Sequence, residues 1–146
     1  MTTDELPTGL HQMRAIAEGS APPAPIQELL GFTLVEVGEG AAVFECTPLS
    51  TMLNPLGSVH GGVAMTLLDS ACGAAVHTTL ASGEAYATLE TKVNLVRAMT
   101  PDTGAVRASG KILHRGGRVA TAEAHLTDRS GSLLAHATST CLILSS

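Results

Sequence analysis

The chain has 146 residues, a net charge of −5 and a 45 % hydrophobic share built on small residues, with two Phe, one Tyr and no Trp. That length fits one domain with a single core, no apolar run reaches the roughly 20 residues of a membrane span, and the eight Lys and Arg form no basic run of the kind a nucleic-acid surface needs. Cys46, Cys72 and Cys141 are odd in number and far apart, which reads as buried free thiols in a reducing compartment. With Asp4 and Glu5 where a leader would carry basic residues, the expectation is a cytoplasmic protein.

Residues 1–25 read as a peripheral segment: a short amphipathic helix over Leu10 to Ala17, then a Gly-Ser-Ala-Pro-Pro-Ala-Pro linker. Ile26 to Leu30 forms a helical turn or two. Phe32 to Val37 and Ala41 to Thr47 read as strands joined by a Gly38-Glu39-Gly40 turn. Ser50 to Ser58, with Asn54, Pro55 and Gly57, is a loop. Val63 to Val76 contains only Thr66, Asp69 and Ser70 as polar residues. It reads as a buried helix running to about Leu80, opened by His60-Gly61-Gly62 and stopped by Ser82-Gly83.

Four strands follow: Tyr86 to Val96, Ala105 to His114, Val119 to Thr127 and Leu133 to Leu144. In the third, Ala120, Ala122, Ala124 and Leu126 share one face, a surface of small residues suited to close packing on a helix. Short turns favour antiparallel pairing. The fold class is therefore α+β: an antiparallel sheet of five to six strands wrapped round one long central helix.

Asp69 stands out. A carboxylate among apolar neighbours costs several kcal/mol if it is ionised and unpaired, so it either meets a buried arginine, faces water or does chemistry. Gly61 and Gly62 open the same helix, where backbone N–H groups lack intrahelical partners and the dipole adds positive charge. A carbonyl or oxyanion fits such donors, although Gly-Gly also serves as an ordinary turn. Gly62 and Asp69 lie about 10 Å apart along the axis. One carbonyl reaches both only if a two-fold axis sets two such helices antiparallel, which makes the site composite.

His60 either orients a substrate or caps the loop, and Asn54 either holds a water or fixes its loop. Arg97, Arg115 and Arg118 lie at strand ends or beside Gly116-Gly117, where they meet phosphates or stay solvated. Met52, Leu53, Met65 and Leu68 are pocket lining or plain core. The remaining histidines show no metal-ligand spacing, and no metal is expected. No Gly-x-Ser-x-Gly elbow or Cys-His pair supports a covalent mechanism.

The stretch Asn54-Pro55-Leu56-Gly57-Ser58-Val59-His60-Gly61-Gly62-Val63-Ala64-Met65-Thr66-Leu67-Leu68-Asp69 resembles the hotdog thioesterases, and within them the phenylacetate-degradation (PaaI-like) branch. Thr91-Lys92-Val93-Asn94-Leu95-Val96-Arg97-Ala98 resembles the strand that follows, and Gly131 fits the last turn. The resemblance covers about residues 26–144, so the hotdog domain is read as 26–146. Many relatives have Arg-Pro-Ala where this chain has Arg97-Ala98-Met99.

The resemblance implies that Gly61 and Gly62 polarise a thioester carbonyl and that Asp69 is the general base or nucleophile. It implies that Asn54 places the water, His60 orients the thioester and Thr88 stands near the attacking water. Arg97, Arg115, Gly117 and Arg118 would lie near the CoA nucleotide. The implied assembly is a homodimer or dimer of dimers, the implied substrate an acyl-CoA or aryl-CoA, and CoA enters only as part of that substrate. The competing readings are a non-catalytic acyl-CoA binder on the same fold and a hotdog hydratase or dehydratase, whose acid and His pattern is not found here.

Overall fold

The computed structural model describes residues 6–145; Asp4 and Glu5 lie outside them. The elements in chain order are α1 (Gly9–Glu18), α2 (Pro25–Leu30), β1 (Phe32–Gly38), β2 (Ala41–Cys46), α3 (Gly61–His77), β3 (Ala85–Leu95), β4 (Val106–Arg115), β5 (Val119–Thr127) and β6 (Leu133–Leu144). Single 3-10 turns at Ser50–Met52 and Pro101–Thr103 punctuate the loops. The six strands form one antiparallel sheet in the order β1-β2-β4-β5-β6-β3, which leaves β1 and β3 as edges. No helix among the described residues is long and apolar enough to cross a membrane.

Small side chains bring α3 down onto the sheet. Ala120, Ala122, Ala124 and Leu126 of β5 are all fully buried beneath it, the face read from the alternation. Gly110 of β4 is the closest approach: a Cβ there would stand 2.2 Å from the Ala71 carbonyl oxygen. The helix contributes Leu67, Leu68, Ala71 and Cys72, each no more than 1 % exposed. A buried Leu is worth roughly 1.5–3 kcal/mol, so this seam anchors the fold.

Two boundaries differ from the sequence reading. The central helix ends at His77, and Gly83 is not its stop. The Thr78 and Thr79 hydroxyls donate to the Ala75 and Val76 carbonyls at 2.7 Å, and Gly83, at φ +82°, serves a separate turn. The N-terminal segment also has a packing role. Met13 of α1 is 6 % exposed and joins the core. The Gly9 N–H donates to the Leu80 carbonyl at 3.0 Å, and His77 Nε2 pairs with Gln12 Oε1 at 2.7 Å.

The central helix is not covered all round. Met65, Thr66, Asp69 and Ser70 fall three to four residues apart, which puts them on one stripe. That stripe is left partly or fully open between α2 and β3.

Candidate active site

Asp69 is half-buried on the open stripe of α3. Its Oδ1 accepts hydrogen bonds from the Thr88 hydroxyl at 3.2 Å and the Thr91 hydroxyl at 3.3 Å. No described Lys, Arg or His forms an ion pair with it, so the structural explanation by a buried arginine is removed. Oδ2 accepts no hydrogen bond from the described residues, and Asp69 lines a cavity of about 510 Å³ together with Ser70, Thr88, Thr91, Met65 and Thr66, among others.

Thr91 was not singled out from the sequence. Residues three apart on a regular strand point to opposite faces. A bulge between Thr88 and Glu90 inserts one residue and turns both hydroxyls toward α3. Thr91 Oγ1 also lies 3.2 Å from Ser139 Oγ, itself 2.9 Å from the Glu90 carbonyl oxygen. The second threonine is thus held by a buried serine on the neighbouring strand.

At the helix start His60 is the N-cap. Its Nδ1 accepts the Gly62 N–H at 2.9 Å. Among the described residues the Gly61 N–H has no acceptor. Of the two glycine donors, the cap occupies one and leaves the other open. Asn54 is engaged within its own loop: its Oδ1 accepts from the Leu56 and Ser58 N–H groups at 2.9 and 3.2 Å, and its Nδ2 donates to Ser58 Oγ at 3.0 Å. It fixes the turn that delivers His60.

Asn54, Gly61 and Arg97 share a separate cavity of about 230 Å³, which Asp69 does not line. Gly61 and Asp69 are eight residues apart, about 12 Å along the axis. The arginines divide in the same way. The Arg97 N–H bonds to the Leu134 carbonyl, while the Arg118 carbonyl receives the Ile143 N–H. Nine residues of β6 separate those contacts, about 30 Å of extended strand. One nucleotide does not touch both ends of one protomer.

Arg97 and Arg118 are exposed. Arg115 is already bound: its guanidinium donates to Glu84 at 2.9 Å, to Thr79 Oγ1 at 3.0 Å and to the Gly116 carbonyl. Gly117 is exposed with space around it, and its backbone does not require glycine. Met52 and Leu68 belong to the core, whereas Met65 is 45 % exposed and lines the Asp69 cavity.

All three cysteines are buried and free. Burial pushes the Cys72 thiol up to about 12 and also raises Cys46 and Cys141. Such thiols stay protonated and are poor nucleophiles. Among the described residues no three His, Cys, Asp or Glu side chains gather as metal ligands.

The profile of the thioesterase superfamily matches residues 56–135, a span that holds the helix start, Asp69 and both threonines. The chain belongs to the thioesterase superfamily. It is 28 % identical over 109 residues to a 1,4-dihydroxy-2-naphthoyl-CoA hydrolase from Listeria monocytogenes, covering 75 % of this chain and 87 % of that protein. Its structure superposes on a phenylacetic acid degradation-related protein from Ralstonia eutropha JMP134 with a TM-score of 0.80, at 27 % identity over 89 % of this chain and 98 % of the other. The PaaI protein of the E. coli phenylacetic acid degradation operon shares the fold, with a TM-score of 0.82 at 20 % identity over 94 % and 97 % of the two chains. The sheet round α3 is the hotdog fold of these thioesterases, and the PaaI-like likeness read from Asn54 to Asp69 holds for the architecture.

Proposed function

We propose that this thioesterase hydrolyses an acyl-CoA or aryl-CoA thioester to a free acid and CoA at a site shared by two protomers. The observation that carries the reading is Asp69: a carboxylate that lines a cavity, with no cationic partner among the described residues and one oxygen fixed by two threonine hydroxyls. The hydroxyls fix the orientation of the carboxylate, and Oδ2 takes the proton of an attacking water. As the water oxygen bonds to the carbonyl carbon, negative charge grows on the carbonyl oxygen. The Gly61 N–H of the partner subunit and its helix dipole stabilise that charge. The C–S bond then breaks, and the proton passes to the departing CoA sulfur.

The 12 Å between Gly61 and Asp69 is the reason for two protomers. The unpaired edge of β3 and the exposed Met65, Leu89 and Leu95 supply an apolar surface for a second copy. Setting two α3 helices antiparallel draws the Arg97 end of one protomer toward the Arg118 end of the other, and these two exposed arginines are assigned to the CoA phosphates. His60 holds the helix start and Asn54 holds the loop before it. Arg115 and Gly117 shape the turn that carries Arg118.

The test is release of CoA thiol from a panel of acyl- and aryl-CoA esters by wild type and Asp69→Asn. Wild type turns over at least one ester, and the variant loses 10²-fold or more in kcat with unchanged oligomeric state and melting temperature. Equal turnover by the variant removes Asp69 from the mechanism.

A further inference from the structure

The N-terminal helices wall a second cavity that meets the first at the catalytic carboxylate. It measures about 290 Å³ and is lined chiefly by Met13 and Ile16 of α1, Phe32, Phe44, Ala74 and Tyr86. Asp69, Ser70, Thr88 and Ile26 line both cavities. A dry cavity of about 150 Å³ accepts benzene, so this one has room for a ring with a substituent or an alkyl chain of similar bulk.

Polar side chains of Gln27, His77 and Tyr86 interrupt the apolar wall. Tyr86 is the only tyrosine in the chain. The Tyr86 Oη is close enough to α3 that a Cβ on Gly73 would fall 2.6 Å from it. Glycine inside a helix costs about 1 kcal/mol relative to alanine, and seating the Tyr86 ring gives Gly73 its reason. The His77 ring packs edge-on against Tyr86 at 5.7 Å and is tied to Gln12 of α1. Among the described residues no group hydrogen-bonds to the Tyr86 hydroxyl. Burial pushes its pKa up to about 12, so it stays a neutral O–H donor.

Gly73 lies four residues from Asp69, about 6 Å along α3. With its Oη against Gly73, the Tyr86 donor sits about one helical turn from Asp69 along the helix axis.

Building on the hydrolase reading above, we propose that this chamber holds the acyl group and that Tyr86 selects it, donating a hydrogen bond to an acceptor about 6 Å from the thioester carbonyl. The α1 helix closes the far wall and limits the size of the group. The wall residues reject large acyl groups by volume, whereas a donor that lines the chamber without a protein partner discriminates against analogues that lack the acceptor.

The experiment compares full-length wild type, Tyr86→Phe and Ile16→Trp. The substrates are matched CoA esters with and without an acceptor at that distance, benzoyl against 4-hydroxybenzoyl and hexanoyl against 5-oxohexanoyl, with acetyl-CoA as the small reference. Wild type prefers the acceptor-bearing member of a pair in kcat/KM. Tyr86→Phe reduces that preference tenfold or more, and Ile16→Trp lowers the ring-sized esters tenfold or more relative to acetyl-CoA. Equal losses on both members of each pair in Tyr86→Phe, or an unchanged order of esters in Ile16→Trp, overturn the proposal.

If wild type releases no CoA from any ester, the hydrolase reading fails separately. Calorimetry with the corresponding ketone analogues, in which a methylene replaces sulfur, then decides the chamber. The same pairwise preference in affinity, lost in Tyr86→Phe, supports it, and equal affinities overturn it.

Discussion

Nδ1 of His60 accepts the backbone N–H of Gly62 at 2.9 Å. The cap satisfies one orphan donor of α3 and leaves the Gly61 N–H open, the group we propose polarises a carbonyl. Proline at position 61 removes that N–H at the first helical position, where proline is favoured. His60, at φ −56° and ψ 133°, already has the extended backbone that a following proline requires. A side chain at 61 meets only the flexible tip of Leu95, 2.8 Å from the ideal Cβ. Gly61→Pro is expected to keep its melting temperature within a few degrees and to lose about 10²–10³-fold in kcat, the cost of one oxyanion donor. Steady-state kinetics beside thermal melting checks both halves.

Thr88 and Thr91 converge on the same oxygen of Asp69. Valine in place of either keeps the shape and removes a hydrogen bond to a charged acceptor, a bond worth about 1.5–3 kcal/mol at good geometry. These bonds are long, so a loss of about tenfold in kcat/KM is expected for each valine variant. Serine at either position should restore most of it. A valine as active as wild type shows that the carboxylate is held by other means.

Burial lowers the pKa of His77 from its ordinary 6.5. The unfolded chain then binds a proton that the folded chain resists, so stability rises with pH in this window. The contribution of His77 is present in full above pH 6.5 and is lost as pH falls through its lowered folded value. Urea midpoints taken between pH 5 and pH 8 should therefore decline on the acid side. His77→Gln, which keeps a polar partner for Gln12, should flatten that decline.

The sequence carried the layers of the fold because its patterns are local. The alternation from Ala120 to Leu126 and the uninterrupted Ala-rich run of α3 each name their element and buried face. Asp69 and the helix start were legible for the same reason, since both depart from the local pattern. Thr91 was not, because a bulge reverses the face of every residue beyond it and leaves no mark in composition. The end of α3 was misplaced because two threonine hydroxyls took over the carbonyls that Gly83 was expected to relieve. The packing role of α1 was hidden as well: Met13 reaches the core only when the chain folds back to set α1 against β1 and α3, which the local pattern of residues 9–18 does not show.

The claim that one protomer supplies the amide and the other the carboxylate is tested most directly by mixing two inactive variants. Asp69→Asn and Gly61→Pro, purified apart and then allowed to exchange subunits, form mixed dimers in which one of two sites carries both native groups. The account predicts that each variant alone is nearly inactive and that the equilibrated mixture recovers about a quarter of wild-type activity. A mixture that exchanges subunits, as shown by mass spectrometry of the intact dimers, yet stays as inactive as its components would contradict it.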